Sequence, residues 1–268
     1  MTTSLPALAR FSPRTPFSRA DARAAGISEY LLRTPAYQRL FHDTYVCSSV
    51  KVNTEMRAAA AISRTGPAAY ASHHTAADLW GIPVPVDGLV HVTIAKLEGR
   101  NRRRGVLTHQ PLKVRGGTTV RNGVRLSVPD QVFCELAAVG VGLVDLVVAG
   151  DAMVRKGRAT LESLTRSVDA MSGAGVRVAR RALSYVRVGV DSPMESRLRM
   201  LLVLAGFAEP QVNFILRDLG GDWSRRFDLC YLALKLIIEY DGEQHCDLDH
   251  RDSTDERSWN ASATPSCR

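Results

Sequence analysis

The strongest constraint on the fold lies between residues 192 and 242, where one complete helix signal is followed by three short strand signals. Ser192 is an N-cap type, Pro193 suits the first helical position, and Glu195 stands three residues after the cap. Leu198, Leu201, Leu202 and Leu204 supply an apolar face, and Gly206 closes the helix. Strand-forming runs then occupy Val212–Arg217, Arg225–Tyr231 and Leu234–Tyr240, with Gly220 and Gly221 in the turn Asp218–Asp222. The order is helix, strand, strand, strand, with a hairpin turn between the first two strands. The fold class is therefore α/β, of the α+β kind.

Two carboxylates fall on those strands: Asp228 in the second and Glu239 at the end of the third, after Leu236-Ile237-Ile238. Unpaired acids beside an apolar run are unfavourable and repel one another, unless a cation neutralises them. Mg²⁺ or Mn²⁺ would do so, and would also polarise a phosphodiester and activate water. With Glu195, Arg226-Phe227-Asp228, Glu239-Tyr240-Asp241-Gly242 and His245, the segment resembles the PD-(D/E)XK nucleases. It is similar to domains related to the very-short-patch-repair endonuclease. The resemblance implies a restriction-endonuclease-like αβββ core over 191–246. It implies Asp228 and Glu239 as metal ligands, Asp241 as a further ligand, Glu195 as a supporting helix acid and His245 as a general base. Structural roles compete: Glu195 completes a capping box, Asp241 before Gly242 forms turns, and His245 suits a surface. The family's last lysine is absent, its place held by Asp241, and residues 247–268 have the composition of a disordered tail, so the domain reads as truncated.

Upstream, residues 1–15 read as a flexible tail. Ser18 caps a helix to Ala25, Gly26 turns, and Ser28 caps a second helix carrying Leu31, Leu32 and Arg33. Gln38–Val46 has hairpin character with Phe41, Tyr45 and Val46 inward, giving a winged helix-turn-helix over 16–50. The run Ser72-His73-His74-Thr75-Ala76-Ala77-Asp78-Leu79-Trp80-Gly81, followed by a strand His91–Ala95, resembles the AbiEi-type antitoxins and regulators. That resemblance implies an N-terminal winged helix that binds DNA, with Ser28–Arg33 as recognition helix, and an AbiEi-like α/β connector over 51–190. His73 and His74 are read as packing or capping residues. Neighbours on a helix point about 100° apart, and no third metal ligand stands at helical spacing. Residues 129–171 predict helices with Val132, Phe133, Leu136, Leu143, Leu146 and Val147 on an apolar face and Thr160 as a cap.

The formal charge of +8 is concentrated in one segment: Lys96, Arg100, Arg102, Arg103, Arg104, Lys113, Arg115, Arg121 and Arg125, with Glu98 the single acid. Such a strip favours phosphates through counterion release, so Ser28, Arg33, Arg102, Arg103 and Arg104 are candidate DNA contacts. Five scattered cysteines without a Cys-x-x-Cys spacing argue against a disulfide framework or zinc finger. The absence of roughly 20 consecutive apolar residues or a secretory signal predicts a cytoplasmic protein without a membrane partner, and Asn260-Ala261-Ser262 is then a chance acceptor motif. DNA is the expected partner, with self-association and a cognate toxin or defence partner as further expectations. Two functions compete: a Mg²⁺-dependent DNA endonuclease, and a non-enzymatic regulator or antitoxin that binds without cutting.

Overall fold

A computed structural model describes residues 11–95, 104–112, 116–217 and 224–240. The chain divides into two compact units, one formed by residues 1–81 and 85–135, the other by 82–84 and 136–268. Both mix helix and sheet, in agreement with an α+β class.

In the first unit, Ser18 and Asp21 form a reciprocal capping box at the start of α1 (Arg19–Ala24). The second helix expected from Ser28 is only a 3₁₀ turn, Leu31–Arg33. Ser28 Oγ does accept the Leu31 N–H at 3.3 Å, but Thr34 is extended because it precedes Pro35, and a residue before proline disfavours helical backbone. One turn is too short to lie along a groove as a recognition helix. The hairpin does form, from β1 (Tyr37–Phe41) and β2 (Thr44–Cys47). Phe17, Ala22, Leu32 and Tyr45 share a small core with Ile27 and Tyr37.

Next come α2 (Thr54–Thr65), β3 (Tyr70–Ala71), α3 (His73–Trp80), β4 (Val90–Thr93), β5 (Val106–His109), β6 (Thr118–Arg121) and β7 (Val124–Ser127). Five of these strands make a mixed sheet in the order β5-β4-β3-β7-β6. Pairs β4·β5 and β3·β7 are parallel, whereas β3·β4 and β6·β7 are antiparallel. The β6–β7 hairpin turns at Asn122-Gly123, both at positive φ, the conformation a two-residue hairpin loop demands. Small residues on α2 let it approach the sheet closely, so Ala60 and Ala61 pack with Phe41, Ala69, Val90 and Val92.

The division between units falls within α4 (Pro129–Ala138). The second unit holds α5 (Leu143–Arg155), α6 (Leu161–Ala170), α7 (Val176–Leu183), α8 (Pro193–Leu204) and the meander β8 (Gln211–Arg217), β9 (Ser224–Tyr231), β10 (Leu236–Ile238). The sheet order is β10-β9-β8, antiparallel throughout. The helix–strand–strand–strand order thus matches the sequence pattern, with two corrections. Leu232–Leu234 form a 3₁₀ turn and Lys235 is left-handed, so the third strand is three residues long. And α8 buries Glu195, Ser196, Arg199 and Met200, leaving Leu201 65% and Leu204 47% exposed, although leucine spacing had pointed the other way. The reason is a buried ionic hub. Arg199, fully buried, donates to Asp151 Oδ2 at 2.8 Å and to Glu209 Oε1 at 2.7 Å. Ser196 Oγ and the Arg187 N–H also donate to Asp151, at 2.7 and 2.8 Å.

Candidate functional sites

Among the described residues, each unit carries a cluster of side chains able to support chemistry. In the second unit, Ser192 Oγ accepts the Glu195 N–H at 3.1 Å, as a cap should. The Glu195 carboxylate, however, accepts the N–H of Asp191 at 2.9 Å, one residue beyond the reach of a standard capping box. Asp191 pairs with Arg226 of β9 at 2.5 Å. Burial raises the Glu195 pKa, and the nearby charges of Asp228 and Asp191 raise it further. Asp228 is half-buried on β9 and accepts the Tyr240 N–H at 3.2 Å, which ties the end of the third strand to the second.

Glu195 and Asp228 are therefore brought together, and Asp191 joins them. Sequence pattern gave no sign of Asp191, because it precedes the cap and belongs to no recognisable motif. Glu239 differs from expectation. It lies one residue past β10 and is exposed, so no burial penalty attaches to it. Among the described residues, no three carboxylate groups converge as a metal-ligand set. Asp241 and His245 lie outside the described residues.

Three of the five expected DNA contacts fall among the described residues. Ser28, Arg33 and Arg104 are exposed, while Arg102 and Arg103 lie outside the described residues, as do Lys96, Arg100, Lys113 and Arg115. Two members of the basic segment have internal duties. Arg121 donates to the Leu79 carbonyl at 2.8 Å and lies 5.2 Å from the Trp80 ring, and Arg125 donates to the Pro67 carbonyl at 3.3 Å.

The cluster in the first unit was not foreseen. His73 at the start of α3, His91 on β4 and His109 on β5 each bring one ring nitrogen within 4.8 Å of the others'. His109 Nε2 and His91 Nδ1 are 3.0 Å apart, and the other nitrogen of His91 bonds Asp87 Oδ2 at 2.5 Å. His73 stacks on His109 at 3.7 Å between centroids. His74, read with His73 as a packing residue, borders Asp87 at 3.9 Å, and its Nδ1 is buried without a hydrogen-bond partner.

The start of α3 explains this placement. His73 has a left-handed backbone, φ +50, uncommon and strained for a residue with a side chain. Its N–H donates to Glu135 Oε2 at 2.9 Å, and Nδ1 lies 2.9 Å from Ser72 Oγ. Ser72 is the N-cap residue, but its hydroxyl serves His73 and Thr93 rather than the helix amides. Burial pushes Glu135 up to about 7, against hydrogen bonds from His73, Gln131 and Ser127. Burial together with neighbouring imidazoles holds His73 down at about 2 and His109 at about 4. These rings are neutral near pH 7, the form in which an imidazole donates electrons.

No family model and no curated protein matches this chain. No helix among the described residues is long and apolar enough to cross a membrane.

Proposed function

We propose that the chain is a DNA-binding protein whose second unit is a PD-(D/E)XK-like, metal-dependent endonuclease domain. The observation that carries this reading is the proximity of Glu195, on the first turn of α8, to Asp228, on the central strand of the following meander. Helix acid and strand acid are the elements that the nuclease resemblance assigns to phosphodiester hydrolysis. Asp228 and Glu239 would hold Mg²⁺ or Mn²⁺, which supplies charge neutralisation at the phosphate and a more acidic water. Glu195 adds a carboxyl group beside Asp228, while the charge of Asp191 is already met by Arg226. The single 3₁₀ turn at Leu31–Arg33 shifts the expected DNA contact in the first unit towards the basic run of the sequence that includes Arg104, itself exposed, where binding would be electrostatic and tolerant of sequence.

A second reading, a regulator or antitoxin-like protein that binds without cutting, is favoured by the exposure of Glu239 and by the lack of a three-carboxylate set among the described residues. Incubation of plasmid DNA with the purified chain and Mg²⁺ or Mn²⁺, beside Asp228→Ala and Glu239→Ala, separates the two. Nicking that both substitutions abolish, with DNA binding retained, is expected. Binding without cleavage by the unsubstituted chain would sink the nuclease reading and leave the regulator.

A further inference from the structure

We propose that His73, His91 and His109 form a site in the first unit for one transition-metal ion of the Zn²⁺ class, with Asp87 as the carboxylate that orients His91. The three side chains come from different elements: the first residue of α3, the interior of β4 and the end of β5. His73 and His91 are buried and His109 is half-buried, so most of the ligand set is already desolvated.

The assignment of nitrogens follows from their hydrogen bonds. His91 Nε2 is held by Asp87 Oδ2 at 2.5 Å, which leaves Nδ1 directed at His109 Nε2, 3.0 Å away. Ser72 Oγ occupies His73 Nδ1, which leaves His73 Nε2 as its ligand atom. Two nitrogens about 2.0–2.1 Å from a tetrahedral zinc stand about 3.3 Å apart. The His91–His109 separation is only a few tenths of an ångström short of this, and for an ion to replace the proton they share the two rings must also turn so that their nitrogens converge on it, with His73 swinging from its stack on His109. The carboxylate–histidine–metal arrangement, in which an outer acid fixes the tautomer of a ligating ring, is satisfied by Asp87.

A rival set, His74, Asp87 and His91, shares two of these residues. There the Asp87 oxygen and His91 Nε2 are 2.5 Å apart, hydrogen-bond spacing and far below what two ligands of one ion require. Asp87 thus acts as the orienting group, and the buried Nδ1 of His74, without a hydrogen bond, stands 3.9 Å from the same Asp87 oxygen. Three imidazoles are donors of intermediate softness that suit Zn²⁺, Co²⁺, Ni²⁺ or Cu²⁺, and not the hard ions Mg²⁺ and Mn²⁺. The site is therefore chemically distinct from the carboxylate cluster of the second unit. Three protein ligands leave a fourth position for water or a further donor.

The test uses the full chain after chelator treatment, titrated with Co²⁺ and followed by visible absorption, with Zn²⁺ competition in calorimetry. One Co²⁺ per chain with the intense bands of a four-coordinate ion is expected. His109→Gln and His73→Gln should lose it, Asp87→Asn should weaken it roughly 10- to 100-fold, and Asp228→Ala and His245→Ala should keep it. Thermal melts in chelator show whether each variant is folded. X-ray absorption of the unsubstituted zinc protein counts imidazole ligands without any variant. Failure to take up a stoichiometric ion, an absorption spectrum showing fewer than three imidazoles, or uptake that survives His109→Gln would overturn the site.

Discussion

Replacing Arg199 by methionine tests the ionic hub of the second unit. Arg199 is fully buried and Asp151 is 2% exposed. The substitution removes one charge, leaves Asp151 with the Arg187 N–H and Ser196 Oγ–H, and deprives Glu209 of one of its two arginine partners while Arg187 still pairs with it at 2.6 Å. Removing one member of a buried pair destabilises by about 3–5 kcal/mol, because the remaining charge stays desolvated and uncompensated. For a unit of this size that is a fall of roughly 10–20 °C in the transition midpoint. Scanning calorimetry and urea denaturation followed by circular dichroism would measure it. Asp151→Asn combined with Arg199→Met removes both charges, so most of the loss should return, with a coupling of at least about 1.5 kcal/mol. A loss below about 1 kcal/mol for Arg199→Met, the scale of a solvent-exposed pair, would refute the reasoning.

Two further outcomes can be checked on the same material. Gly175→Ala should destabilise the second unit by more than 1 kcal/mol, as roughly expected for a left-handed position: φ is +81 and a Cβ would overlap the Ala137 carbonyl, so calorimetry showing a neutral or stabilised protein would contradict the packing. Among the described cysteines, Cys134 should resist thiol reagents at pH 7–9 until the protein unfolds, because burial and the neighbouring Glu135 push its thiol up to about 12. Cys47, held below its usual value by a hydrogen bond to Ser49 Oγ, should label first, and mass spectrometry of the labelled peptides distinguishes them.

Local signals in the sequence carried far, and non-local ones did not. Ser18, Thr160 and Ser192 cap helices as their types suggest, and the strand runs after Gly206 pair as a meander, since caps and alternation act within a few residues. The face of α8 was misjudged because its leucine stripe is local, whereas Asp151, which draws Arg199 inward, lies 48 positions away. The histidine cluster was illegible for the same reason. A search for ligands at helical spacing around His73 cannot find His91 and His109, which a parallel strand pairing delivers. A histidine between valines in Val90-His91-Val92 was the available clue, since a buried polar group on an apolar strand requires a partner. Asn122-Gly123 was an equally plain hairpin signal, concealed by the surrounding basic residues whose charge suggests phosphate. Arg121 and Arg125, counted in the phosphate-attracting strip, also donate to backbone carbonyl groups.

The bond from the His73 N–H to Glu135 spans 62 positions, with kinetic consequences. A helix start that depends on so distant an acceptor cannot be completed until α4 has been synthesised and docked, and closing a long loop must precede the contacts that repay its entropy. The first unit should therefore assemble late on the ribosome, with α3 unanchored and its histidines apart until residue 135 has emerged. Any ion taken up at those histidines would enter only at the last step of folding.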